Sequence, residues 1–147
     1  HDEPVAGAER TVTDEGLDDA LGGTDVVILA AAMTSSTRHL IDERRLAQLP
    51  PHAVLVNIAR GPLVDTDALT AALAEGRLAG AALDVTDPQP LPDGHPLWSE
   101  PHALITPHTA ETEAMIRPHL ANRVRENVRR FRNGEPPEGL VDPALGY

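Results

Sequence analysis

Three polar residues stand directly after apolar runs in this chain: Arg60 follows Val54–Ala59, Asp84 follows Ala81–Leu83, and His108 follows Leu104–Pro107. Each suits a different task. A guanidinium stays charged at any working pH and offers two parallel donors that match the two oxygens of a carboxylate. An imidazole gains and loses a proton near neutrality, as general acid–base chemistry requires. An arginine, a carboxylate and a histidine on neighbouring strand ends argue for a site where any one alone would not. The chain has no cysteine, which excludes disulfides, thiolate metal sites and a cysteine nucleophile. No histidine pair has metal-ligand spacing, so no metal is expected. His1, His39, His52, His102 and His119 are expected in turns or on helix faces without partners, and His95 in a His-Pro-Leu-Trp turn that packs through Trp98.

These side chains can meet only if the fold brings the ends of their strands to one edge, and the hydropathy pattern supplies such a fold. After linker-like residues to Glu9, a short helix is expected over Asp14–Leu21, ending at Gly22-Gly23. Thr24–Ala30 is a β-branched apolar run, and Asp42–Leu49 is a helix candidate with Asp42 as N-cap and Pro50 as its stop. Ala53–Ala59 is a second strand, and Asp65 caps a helix whose Leu69, Ala72 and Leu73 share one face before Gly76 ends it. Ala81–Val85 and Ala103–Thr106 are further strands. Alternating strands and helices imply an α/β fold with a parallel sheet and right-handed crossovers, in which ligands bind beyond the carboxyl ends of the strands.

The last long helix is expected around Glu111–Arg132, with Ile116, Leu120, Val124, Val128 and Phe131 at helical spacing and Pro118 as a kink or the true start. Its arginines, from Arg117 to Arg132, are read as a solvated face, because Glu126 lies among them and the chain is acidic overall. The tail Gly134–Tyr147 is Pro-rich and expected to be irregular. Formal charge is −11, which argues against nucleic acid or an anionic membrane as partner. A polar, acidic start and the absence of any apolar run of about 18 residues argue against a secretory signal or a membrane span, so the cytoplasm is the default. Because the sequence starts without methionine, a cut end is expected there.

The segments VNIARGPLVD (Val56–Asp65), GRLAGAALDV (Gly76–Val85), HPLW (His95–Trp98) and ITPHTA (Ile105–Ala110) resemble the D-isomer-specific 2-hydroxyacid dehydrogenases in order and spacing. The stretch GHPLW and the ending VDPALGY look most like the glyoxylate/hydroxypyruvate reductase branch. The resemblance implies the second half of a Rossmann-type doubly wound parallel sheet, with residues 1–110 in the NAD(P)-binding domain and residues 111–147 as the helix and tail returning to the substrate domain. No G-x-G-x-x-G occurs, nor the selector residue that separates NAD from NADP, so the 147 residues alone are expected to be inactive. Carried over by resemblance, Arg60 clamps the substrate carboxylate, His108 is the acid/base, and Asp84 lies beside the nicotinamide, with a helix or turn cap as the less favoured reading of Asp84. Ile58, Ala59, Ala31 and Ala32 line the cofactor, which also meets Arg60 and His108. The family usually has proline where Ala32 stands. The implied partners are a small 2-oxoacid or 2-hydroxyacid, NAD or NADP, and a second copy in a homodimer.

One position departs from the family pattern. Five residues after Asp84, where these dehydrogenases carry a glutamate paired with the histidine, this sequence has Gln89. A carboxylate stabilises imidazolium, whereas a neutral amide orients the ring with far less electrostatic support. Asp87 is a minor alternative partner. The related NAD-dependent formate dehydrogenases carry glutamine here, and formate oxidation moves only hydride, with no hydroxyl proton to remove. A formate dehydrogenase-like enzyme is therefore the alternative activity, and a non-catalytic binding or dimerising module is a third reading.

Overall fold

The computed structural model describes residues 5–144; His1 and the last three residues of the tail lie outside them. Four short strands form one parallel sheet in sequential order: β1 (Val26–Leu29), β2 (Val54–Asn57), β3 (Gly80–Leu83) and β4 (Ala103–Ile105). A 3-10 turn at Asp14–Gly16 leads into α1 (Leu17–Leu21), and α2 (Glu43–Leu46) and α3 (Thr66–Ala74) fall in the crossovers on either side of β2. Parallel neighbours require such crossovers, and the expected α/β fragment is what forms.

Local chemistry sets the boundaries. Asp42 and Asp65 cap α2 and α3, each side chain accepting the backbone N–H three residues on, from Arg45 and Ala68. The stretch expected as an eight-residue helix, Asp42–Leu49, is regular for one turn only, because Pro50 follows closely. Gly76 ends the α3 segment at φ +65°, a conformation that suits glycine.

The sheet is covered on one face. Leu29, Leu55, Ala81 and Leu83 point into a core shared with Ile41, Leu46, Leu63, Leu69, Leu73 and Leu97. Burying each leucine contributes about 1.5–3 kcal/mol. Val26, Ile28 and Leu104, which alternate with these positions, are exposed. The covered face and the crossovers fix the strand ends, and with them the site.

One expectation about the carboxyl part changes. Helix α4 (Glu113–Arg132) runs through Pro118 as one element, starting after Thr112. Its apolar stripe is not core: no α4 residue is buried, and Leu120, Val124, Val128 and Phe131 are exposed. The helix leaves the sheet after β4 and packs instead against the tail, where the Asn127 side chain brackets Glu138 by donating to its carbonyl and accepting its N–H. The arginines behave as a solvated face, Arg129 and Arg130 pairing with Glu126, Glu135 and Glu138. Among the described residues no helix is long and apolar enough to cross a membrane.

Candidate active site

The strand register lays the site out in rows. Leu29, Asn57, Leu83 and Ile105 pair across the four strands. Three residues beyond that row come Ala32, Arg60, Thr86 and His108, so all four leave the sheet at its carboxyl edge. The three polar residues singled out in the sequence thus share one edge, as the parallel topology requires.

Arg60 is presented by a small turn that Asn57 holds. The Asn57 amide is buried at the end of β2, donates to the Arg60 carbonyl at 2.9 Å and accepts the Ala59 N–H at 3.1 Å. A polar group buried in an apolar strand needs such partners, and these two satisfy it. The guanidinium is exposed and donates to the Ala59 carbonyl at 2.7 Å; among the described residues it has no carboxylate partner. It is a fixed cation available to an anion. Beside it a groove of about 470 Å³ is lined by Ala30, Ala31, Ala32, Met33, Ile58, Ala59 and Arg60. Of the seven residues assigned to the cofactor in the sequence, Ala31, Ala32, Ile58, Ala59 and Arg60 line this groove, whereas Asp84 and His108 line a second cavity at the same sheet edge.

His108 takes a left-handed backbone conformation, φ +58°, which costs an L residue about 1–2 kcal/mol. Asp84 holds it there. Its buried carboxylate accepts the Thr106 hydroxyl and the backbone N–H groups of Thr109 (2.8 Å) and Ala110 (2.8 Å), gripping the loop on both sides of the histidine. Burial works to raise its pKa, but the hydrogen bonds from Thr106, Ala110 and Thr109, with the nearby His108, outweigh this and leave it below its ordinary value of 3.8. Asp84 therefore caps the His108 loop, a role the sequence offered no means of ranking above contact with a nicotinamide.

A stability consequence follows. Because the folded pKa is depressed, Asp84 stabilises fully above the ordinary carboxylate range, and the contribution is lost as pH falls through its lowered value. Asp84→Ala should lower unfolding free energy by about 2–4 kcal/mol, since it strands two backbone donors. Urea denaturation at pH 7 and pH 3 checks this: the gap between parent and variant should narrow at the lower pH, and an unchanged gap would remove Asp84 from the loop's support.

Gln89 completes the site. Its Nε2 lies 2.8 Å from His108 Nδ1, across 19 residues of sequence. In this orientation the amide donates, Nδ1 accepts, and the neutral ring carries its proton on Nε2, the nitrogen left free. When the ring is imidazolium, the amide turns over and its carbonyl accepts from Nδ1–H. The loop bearing Gln89 is tied down by the Thr66 hydroxyl, which donates to the Asp87 carbonyl at 2.7 Å, and the Thr86 hydroxyl, which donates to the Pro88 carbonyl at 2.9 Å. Asp87 turns the other way and pairs with Arg38 at 3.5 Å, so it is not the partner of His108. A cavity of about 330 Å³ opens beside the pair, lined by Leu91, Trp98, Ile105 and Pro107 among others.

Of the remaining histidines, His119 lies exposed on α4 as expected, with no partner among the described residues, whereas four others depart from expectation. His39, His52 and His102 have carboxylate neighbours in Asp65, Asp25 and Glu100. His95 accepts the Leu97 N–H, and the turn packs through Leu97, which is 1% exposed, whereas Trp98 is 53% exposed. Asn57, Thr66 and Thr106 were not singled out in the sequence. Asn57 alone carried a signal, as an amide inside an apolar strand.

Comparison with known proteins places this geometry. Residues 2–110 match the family described as D-isomer specific 2-hydroxyacid dehydrogenase, NAD binding domain. A glyoxylate reductase of Thermofilum pendens is 42% identical over 126 residues, which are 86% of this chain and 37% of that protein. A D-isomer specific 2-hydroxyacid dehydrogenase of Xanthobacter autotrophicus Py2, solved with NADPH and MES, superposes with a TM-score of 0.81 at 43% identity, covering 90% of this chain and 54% of that one. An NADPH-dependent glyoxylate/hydroxypyruvate reductase of Sinorhizobium meliloti, solved with NADP and sulfate, gives a TM-score of 0.81 at 31% identity, covering 90% and 43%. The chain spans less than half the length of the curated relatives it matches. With the profile match extending over most of its residues and the parallel sheet superposing, this chain belongs to the D-isomer specific 2-hydroxyacid dehydrogenase family.

Proposed function

We propose that these residues form the substrate-facing half of an oxidoreductase that moves hydride between NAD or NADP and a 2-oxoacid/2-hydroxyacid pair such as glyoxylate or hydroxypyruvate. They act within a polypeptide of the relatives' length, residues 1–110 as the second half of the cofactor domain and residues 111–147 as the return helix and tail. The observation that carries this reading is the Gln89–His108 hydrogen bond at the same sheet edge as the exposed guanidinium of Arg60. The glyoxylate and glyoxylate/hydroxypyruvate reductases among the relatives support the substrate class.

The groove beside Arg60 fits the nicotinamide end of the cofactor. Small side chains at Ala30–Ala32 and Ala59 leave room at the strand ends for a flat ring, and Ile58 offers it apolar surface. When bound, NAD(P)H supplies the hydride. Arg60 binds the two carboxylate oxygens of the acid and orients its carbonyl carbon. Reduction uses His108 as imidazolium: it gives its Nε2 proton to the C2 oxygen and takes it back at Nε2 in the reverse direction, while the turned-over Gln89 carbonyl accepts from Nδ1–H throughout. Gln89 fixes the ring through Nδ1, and Asp84 fixes the loop through Thr109 and Ala110. We place the intact enzyme in the cytoplasm as a homodimer.

The neutral amide at Gln89 gives formate oxidation a second claim, since that reaction asks no proton of His108. Initial rates on the full-length protein separate the two: NADPH or NADH consumption with glyoxylate and hydroxypyruvate, against NAD or NADP reduction with formate. The 2-oxoacids should be turned over and formate should not; formate turnover without 2-oxoacid turnover would overturn the proposal.

A further inference from the structure

We propose that Gly61 is a positioning residue: it seats the loop that presents Arg60 directly on the loop that presents Gln89, so that the anion clamp and the partner of His108 are placed relative to each other. A methyl group at Gly61 would lie 1.9 Å from the Thr86 carbonyl oxygen, 2.2 Å from its carbon and 2.8 Å from the Asp87 nitrogen. All three are backbone atoms, so no change of rotamer relieves the overlap. Reaching ordinary contact needs the two loops to part by about 1.5 Å. Gly61 is buried and its φ lies outside the left-handed region, so space alone excludes a side chain there.

Each loop carries its own anchor next to this contact, so a shift at the contact is shared with the residues that each loop presents. Arg60 is adjacent to Gly61, and its carbonyl is held by Asn57. Gln89 is three residues beyond Thr86 in a segment pinned by Thr66 at the Asp87 carbonyl. A displacement of Thr86 is passed along this segment to Gln89, whose amide lies 2.8 Å from His108 Nδ1 in the intact site. Hydrogen bonds weaken steeply over such a shift, and reacting groups misplaced by about 1 Å lose on the order of 10²-fold in rate.

This inference rests on the proposed reaction only for its activity readout, and the test therefore has two arms. In the full-length protein Gly61→Ala should change the His108 ring nitrogen signals seen by 15N NMR and lower kcat/KM for glyoxylate about 10²-fold. Gly76→Ala, which introduces strain at φ +65° in open space far from these loops, should do neither even if it lowers Tm as much. Thr66→Val removes only the tether to Asp87 and should shift the His108 signals in the same direction by a smaller amount. If Gly61→Ala fails to fold, Thr66→Val decides. Unchanged His108 signals in every folded variant would overturn the proposal, whether or not the parent reduces glyoxylate. Absence of glyoxylate turnover in the parent, with the NMR changes present, would count against the reaction and not against Gly61.

Discussion

Arg60→Lys should lower kcat/KM for glyoxylate and hydroxypyruvate by 10²–10³-fold, corresponding to about 3–4 kcal/mol of lost transition-state stabilisation. The guanidinium is free of carboxylates among the described residues and is set on a turn that Asn57 locks; in the proposed role its two donors would meet a substrate carboxylate as a pair. An ammonium is a point charge on a flexible stem and cannot present that fork. The loss should fall on both KM and kcat, because the same contact binds the acid and aligns its carbonyl carbon. Steady-state kinetics with a direct measurement of NADPH affinity checks this. Cofactor affinity should change little; equal weakening of cofactor and substrate would assign Arg60 to the dinucleotide.

Gln89→Glu is expected to act on the pH profile. Reduction requires His108 protonated, and a carboxylate 2.8 Å from Nδ1 stabilises imidazolium where the amide does not. The alkaline fall of 2-oxoacid reduction should move upward by about 1–2 pH units, and on that limb the variant should be about 10-fold or more faster. Rates of the two proteins from pH 5 to 10 test the sign. A profile that stays in place would mean that Nδ1 does not govern the proton. Formate-dependent cofactor reduction in the parent, abolished in the variant, would transfer the assignment to formate chemistry.

Much of this site was legible in the sequence because a parallel sheet has one functional edge. Once Val54–Ala59, Ala81–Val85 and Ala103–Thr106 are read as strands, Arg60, Asp84 and His108 must emerge together, whatever the details of the core. For Asp84 the turn cap was the less favoured reading: two of its three donors are backbone groups of Thr109 and Ala110, and backbone donors leave no mark on residue type. The same holds for Gly61, whose constraint is a carbonyl of another loop. Trp98 misled for a different reason. Its size suggested an anchor, yet Leu97 fills the core and Trp98 turns outward, with its indole N–H on the Pro92 carbonyl. Helix α4 shows the limit of periodicity, which marks an apolar stripe without saying what covers it.

The most direct test of the central claim follows the hydride itself. The full-length protein should be supplied with NADPH, or NADH, carrying deuterium at the transferred position of the nicotinamide, with hydroxypyruvate as acceptor, and the product analysed by mass spectrometry and chiral chromatography. D-glycerate bearing one deuterium at C2 is the expected product, and it should be lost from His108→Ala and Arg60→Lys in parallel. Glycerate without deuterium, the L-isomer, or undiminished transfer in either variant would contradict the assignment of hydride transfer to a 2-oxoacid held between Arg60 and His108.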